Sequence, residues 1–270
     1  MDVEQIDLGE NFVRTCLQGS DRLVVSFESG GGRVERPNKD HTAWGQGLVA
    51  NAGWDGLHVL PKIMKWYQAQ ELWDFFGTMR KTGFFDDYKE VVMYGNSMGG
   101  FAALAFAKYC CAKRVVAFHP RSTLAKWVLP WDSAFSNQLT FNRIGPPADA
   151  LSGLESGIDV LLFADPFYRR DYNHARRIAE NHSETNIIRV PFIMHDIPAY
   201  LAETSILQKV AHSAIQGRFD EAQFYQDIRE RRKSPLYQAH FKRYVLRRGQ
   251  PKRAVIQQGI SQLGANPKAK

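Results

Sequence analysis

Ser97 stands in the run Gly95-Asn96-Ser97-Met98-Gly99, directly after the apolar stretch Val91-Val92-Met93-Tyr94 and directly before the alanine-rich stretch Phe101-Ala102-Ala103-Leu104-Ala105-Phe106-Ala107. An apolar, β-branched run followed by Gly-x-Ser-x-Gly and then by helix formers predicts a strand, a sharp turn and a helix. A serine at the tip of such a turn is held in a strained backbone conformation. Side chains two positions before and two positions after it collide, so both positions are glycine here. The turn lifts the Ser97 hydroxyl above the sheet and aims the N-terminus of the next helix at it. The free N–H groups there favour an anion beside the serine, and the Met98 N–H is the first candidate donor to an oxyanion. The chemistry this suggests is nucleophilic attack by a hydroxyl, which needs a base and an acid elsewhere in the chain.

The turn resembles the nucleophile elbow of the α/β-hydrolase family, and the resemblance extends over roughly residues 20–215. It implies an α/β fold: a mostly parallel sheet flanked by helices, with a small lid insertion. It also implies a Ser, Asp/Glu, His order, each residue at the C-terminal end of a strand. Ile158–Ala164 reads as a strand and is followed at once by Asp165-Pro166; Asn186–Ile193 reads as the last strand and is followed by Met194-His195-Asp196. The expected triad is therefore Ser97, Asp165 and His195. His195 takes the Ser97 proton and returns it to the leaving group, and Asp165 fixes the histidine tautomer. Asp171 is the rival acid; its place just before a helix also suits an N-cap.

The same resemblance assigns a second oxyanion N–H to the loop after the early strand Arg22–Phe27. That loop reads Glu28-Ser29-Gly30-Gly31-Gly32, and Glu28, Ser29 and Gly30 are all candidates. Glu28 departs from the His-Gly often found there, and an acidic side chain at that point disfavours an oxyanion unless it turns away. Lys113–Phe118 reads as a further strand ending in His119-Pro120-Arg121-Ser122. Ligands bind at the carboxyl ends of such strands, so Arg121 is a candidate to hold an acidic group of a substrate; the plainer reading is a solvated or capping arginine. His119 breaks the expected order and reads as structural. Residues 123–157 do not alternate like strands and match the lid, where Trp127, Trp131 and Phe135 either line an apolar acyl pocket or fasten the insertion to the body.

The remaining elements must position these residues. Leu57–Ile63 reads as a strand, Trp66–Lys81 as an amphipathic helix and Tyr200–Ile215 as a closing helix. Residues 33–56 read as loops with one short helix, and residues 1–22 carry no clear pattern. The expected organisation is an α/β-hydrolase-like domain over 1–216, with its lid at about 123–157, and a helical extension over 217–270. Of the net charge of +7, the extension carries 13 Lys and Arg against 4 Asp and Glu, leaving 22 against 24 for the first 216 residues. Two of its helices, separated at Gly249-Gln250-Pro251, are similar in shape to one tetratricopeptide unit, which cannot form a solenoid alone. Its basic residues form either a surface for an anionic partner or a solvated face.

No apolar run approaches the ~18 residues of a membrane span. The acidic, polar start lacks the features of a signal peptide, and the odd set Cys16, Cys110 and Cys111 suits a reducing cytoplasm better than a disulfide framework. The sequence holds no dinucleotide fingerprint, phosphate loop or metal-ligand spacing, so no cofactor is expected. Two functional classes follow. One is a serine esterase or acyltransferase acting on a small-molecule ester or acyl substrate through acyl-Ser97. The other is a non-catalytic protein of the same fold that uses its basic tail for interaction.

Overall fold

A computed structural model of the chain describes residues 2–31, 41–132 and 148–246. Eight strands form one sheet: β1 (Asp2–Leu8), β2 (Asn11–Leu17), β3 (Arg22–Phe27), β4 (Asp55–Pro61), β5 (Glu90–Asn96), β6 (Arg114–Phe118), β7 (Asp159–Ala164) and β8 (Thr185–Arg189). Their order across the sheet is β1-β2-β4-β3-β5-β6-β7-β8. The β1–β2 and β2–β4 pairs are antiparallel; every pair from β4 to β8 is parallel. The central strands read as continuous apolar runs because both faces of a parallel sheet are covered. Val91 and Met93 of β5 enter one core with Leu23, Val25 and Phe27, while Val92 and Tyr94 enter the opposite core with Val24, Val116 and Phe118.

The helices are α1 (Gln46–Asn51), α2 (Gln70–Lys81), α3 (Met98–Ala105), α4 (Arg169–Asn181), α5 (Ile197–Glu203), α6 (Leu207–Ile215), α7 (Glu221–Asp227) and α8 (Pro235–Leu246). Several bounds differ from the sequence expectation. Residues 2–17 form a β-hairpin, in which β1 and β2 share a full antiparallel ladder. The helix expected from Trp66 starts at Gln70; Trp66 and Tyr67 take left-handed backbone, with φ of 54° and 57°. The closing helix is two helices, broken where Ser205 has φ of 59°. The last strand stops at Arg189, and Pro191–Asp196 is a loop.

The described part of the C-terminal extension shares a core with the sheet. Phe224, Ile228 and Tyr237 are buried with Phe118, Phe163 and Ile188. Arg229, Arg232, Lys233, Lys242 and Arg243 are exposed, and Lys233 pairs with Glu230. Phe135 of the expected lid lies outside the described residues, as do the basic residues Arg247, Arg248, Lys252 and Arg253 and the second helix expected beyond Gly249. Cys16 and Cys110 are buried and Cys111 half-buried; all three are free thiols. Among the described residues no helix is long and apolar enough to cross a membrane.

Candidate active site

β5 ends at Asn96 and α3 begins at Met98, so Ser97 makes the turn alone. Its backbone sits at φ 56° and ψ −112°, a strained conformation for a residue with a side chain. The two flanking glycines are forced by backbone packing. A Cβ on Gly95 would stand 2.2 Å from the Gly99 carbonyl oxygen, and a Cβ on Gly99 would stand 2.1 Å from that of Phe27. Rigid backbone cannot give way as a flexible side chain can. We expect Gly99→Ala to cost about 3 kcal/mol, the upper end for overpacking, measured as a fall in the urea midpoint at unchanged slope.

The Ser97 hydroxyl lies 2.8 Å from Nε2 of His195, and Nδ1 of the same ring lies 2.5 Å from Oδ2 of Asp171. The carboxylate against the histidine is thus Asp171's, a correction to the expected Asp165. Asp171 is 3% exposed in the first turn of α4. The carboxylate reaches His195 from the first turn of α4 rather than from the end of β7. Sequence distance from the strand favoured Asp165, and that criterion failed here.

Asp165 does a different job. It is 1% exposed, and its carboxylate accepts the backbone N–H groups of Phe167 at 2.8 Å and Met194 at 2.6 Å. Burial pushes its pKa up, against these N–H bonds. Phe192 and Met194 are left-handed, with φ of 65° and 56°, so the loop carrying His195 is held in an unusual shape by a buried carboxylate. The loop is braced again from the C-terminal extension. The Phe192 ring packs on Phe241 at 5.0 Å and Tyr244 at 4.9 Å, and Nε2 of His240 lies 2.7 Å from Asp196.

The expected second oxyanion donors are both committed elsewhere. The Glu28 N–H donates to the Val59 carbonyl at 3.1 Å, extending the sheet, and the Ser29 N–H donates to the Glu28 carboxylate at 3.1 Å. The other Glu28 oxygen accepts the Trp44 N–H at 2.9 Å. Burial raises the Glu28 pKa and these two N–H groups counter it, so its side chain serves to tie two loops together. Gly30, the third candidate, remains. A Cβ placed on it would lie 3.9 Å from Cβ of Met98, which sets the Gly30 backbone beside the first residue of α3.

Arg121 is drawn into a buried cluster rather than offered to a substrate. It is 8% exposed, pairs with Asp132 and lies 3.4 Å from Nε2 of His174. His174 accepts the Ser122 N–H at Nδ1, 3.0 Å, which leaves Nε2 to donate to Asp132, also 3.0 Å. Burial opposes charge on Asp132, yet His174 and Arg121 together hold its pKa down at about 2. Trp127 and Trp131 are 59% and 50% exposed; Trp131 packs on His174 at 5.2 Å, and neither lines a described cavity. A cavity of about 380 Å³ instead lies beside Met194, lined by Asp165, Phe167, Phe192, His240 and Tyr244 among others. Asp132 and His174 carried no signal in sequence, because buried polar residues gain meaning only from their partners. His119, read as structural, packs against His195 with ring centroids 3.9 Å apart and the rings tilted by 43°.

No protein-family model matches the chain. Comparison with curated protein sequences likewise gives no match. Solved structures do match. The capsule O-acetyltransferase of Neisseria meningitidis serogroup A is 14% identical with a TM-score of 0.53, over 79% of this chain and 94% of that one. For the second of its structures the identity is 13%. Thermogutta terrifontis esterase 2, phosphonylated by sarin, is 12% identical with a TM-score of 0.56, over 81% and 95%. The Pyrobaculum calidifontis esterase is 14% identical with a TM-score of 0.51, over 81% and 86%. With the strand order, the elbow and these likenesses together, the chain has the α/β-hydrolase fold.

Proposed function

We propose that the protein is a serine esterase or acyltransferase acting through an acyl-Ser97 intermediate, with Ser97, His195 and Asp171 as its triad. The observation that carries this is the unbroken line from the Ser97 hydroxyl through His195 to Asp171, at 2.8 and 2.5 Å. Asp171 accepts the Nδ1–H, which leaves the Nε2 lone pair facing the Ser97 hydroxyl, the tautomer a general base requires. Ser97 attacks the acyl carbonyl while His195 takes its proton. The oxyanion of the tetrahedral intermediate is held by the N–H groups of Met98 and Gly30. His195 then protonates the leaving group and the acyl chain stays on Ser97. An acceptor hydroxyl, from water or an alcohol, loses its proton to His195 and carries the acyl group away. The His195 side chain is 45% exposed, which gives an acceptor room to approach. Solved structures of both an O-acetyltransferase and esterases share the fold, in keeping with either acceptor.

The test is labelling with a fluorophosphonate. Wild type is expected to be labelled, and Ser97→Ala and His195→Ala to lose labelling, since one lacks the nucleophile and the other its base. A folded wild type that stays unlabelled would exclude the acyl-enzyme and turn attention to the exposed basic surface of the C-terminal extension as a binding site for an anionic partner.

A further inference from the structure

His119 follows β6 with φ of 33°, a left-handed conformation for a residue with a side chain, and its N–H is fixed to the Phe163 carbonyl at 2.7 Å. The ring is 1% exposed, and neither of its nitrogens has a hydrogen-bond partner. Buried polar atoms are almost always paired, so an imidazole with two orphaned nitrogens calls for an explanation. Its surroundings supply one. A ligand atom from each of His119, Asp171 and His195 lies within 4.8 Å of the other two. Two imidazoles and a carboxylate form a donor set that suits zinc and its neighbours in the first transition row, and suits magnesium or calcium poorly.

We infer that His119, Asp171 and His195 form a binding site for a divalent transition-metal ion, Zn2+ above all, and that its occupation switches the enzyme off. Bond lengths of about 2.0–2.2 Å put tetrahedral zinc ligands roughly 3.3 Å apart, so donors as much as 4.8 Å apart close up by as much as ~1.5 Å, while the Asp171 and His195 donors, now 2.5 Å apart, open slightly, both through side-chain rotations. His195 is the exposed member, at 45%, and gives the ion its way in. The fourth position is left to water. An ion held here takes up the histidine and the carboxylate that Ser97 needs, so the hydroxyl loses its base without any change at the elbow. His119 explains why this site differs from an ordinary histidine–carboxylate pair: it adds a third donor, already buried and without a competing hydrogen bond.

The inhibitory effect rests on the triad proposed above; binding itself does not. The experiment therefore measures binding directly, by calorimetric titration of Zn2+ into metal-stripped full-length protein, with the Co2+ absorption spectrum as a second readout of nitrogen-rich coordination. Wild type and Ser97→Ala are expected to bind one equivalent alike. His119→Phe, close in volume, and His119→Asn are expected to bind at least 10-fold more weakly, as is Asp171→Asn, which covers the case in which a His119 variant does not fold. In wild type, Zn2+ slows ester hydrolysis and a chelator restores it. In the His119 variants the Zn2+ concentration for half-inhibition rises at least 10-fold relative to each variant's own metal-free rate. No stoichiometric binding to wild type, or unchanged affinity in folded His119 variants, overturns the site. Stoichiometric binding that depends on His119, in a protein that no phosphonate labels, upholds the site and removes the catalytic reading instead.

Discussion

Replacing Asp171 by asparagine is expected to lower the rate of ester hydrolysis and of phosphonate labelling by roughly 10⁴-fold, with the fold intact. The magnitude is what the loss of a triad carboxylate costs when geometry is preserved. An asparagine amide facing Nδ1 favours the tautomer with the proton on Nε2, and that ring cannot accept the Ser97 proton. It also removes the negative charge that stabilises the imidazolium formed during attack. Asp165→Asn is expected to cost far less. Its carbonyl oxygen still accepts one of the two backbone N–H groups, from Phe167 or Met194, that the carboxylate holds. Rates for the two variants, measured with p-nitrophenyl acetate beside wild type, decide the assignment. A larger loss for Asp165→Asn than for Asp171→Asn would make Asp165 the acid in solution and the 2.5 Å contact of Asp171 incidental.

Asp132→Ala is expected to destabilise the protein by about 3 kcal/mol or more, the range for removing one partner from a buried ion pair. The reason is what stays behind. Arg121, 8% exposed, keeps its charge in a setting that has lost its carboxylate, and His174, fully buried, is left with a donor facing no acceptor. Urea unfolding of the variant against wild type measures the cost. The pH dependence follows from the sign of the shift. Asp132 ionises at about 2 in the folded protein against 3.8 unperturbed, so its contribution is complete above pH ~4 and fades as pH falls from there towards ~2. The gap between wild type and Asp132→Asn is therefore expected to be constant from neutral pH down to pH ~5 and to narrow below it. A gap that grows on acidification would mean the carboxylate is not the charged partner of Arg121. This clamp joins residue 132 to α4, the helix that carries Asp171.

Much of this was legible in the chain. The elbow is a local device: a buried strand, two glycines that backbone contact forces, and a helix, all within about fifteen residues, so its sequence and its geometry carry the same information. Buried parallel strands announce themselves as apolar runs, which is why β3 to β7 and His195 could be placed. The N-terminal hairpin could not, because β1 at the sheet edge needs no continuous apolar run, and β2 gains its identity from pairing with β1 and β4.

Which of Asp165 and Asp171 lies against His195, what Arg121 pairs with, and the company of His119 are set by tertiary structure alone. Each is a question about which distant polar group meets which inside a low-dielectric interior, where an unpaired charge or donor is costly and the partner settles the role. Two aspartates six residues apart offer the same chemistry on paper. The turn into α4 delivers one to the histidine and leaves the other to hold the histidine's loop, and no spacing rule in the sequence distinguishes them. What the sequence determined by itself is therefore the elbow that carries Ser97, its helix and the sheet that holds them; the three-dimensional path of the chain determined which carboxylate meets His195 and what Arg121 and His119 meet, because only folding sets the distances between polar groups far apart in the chain.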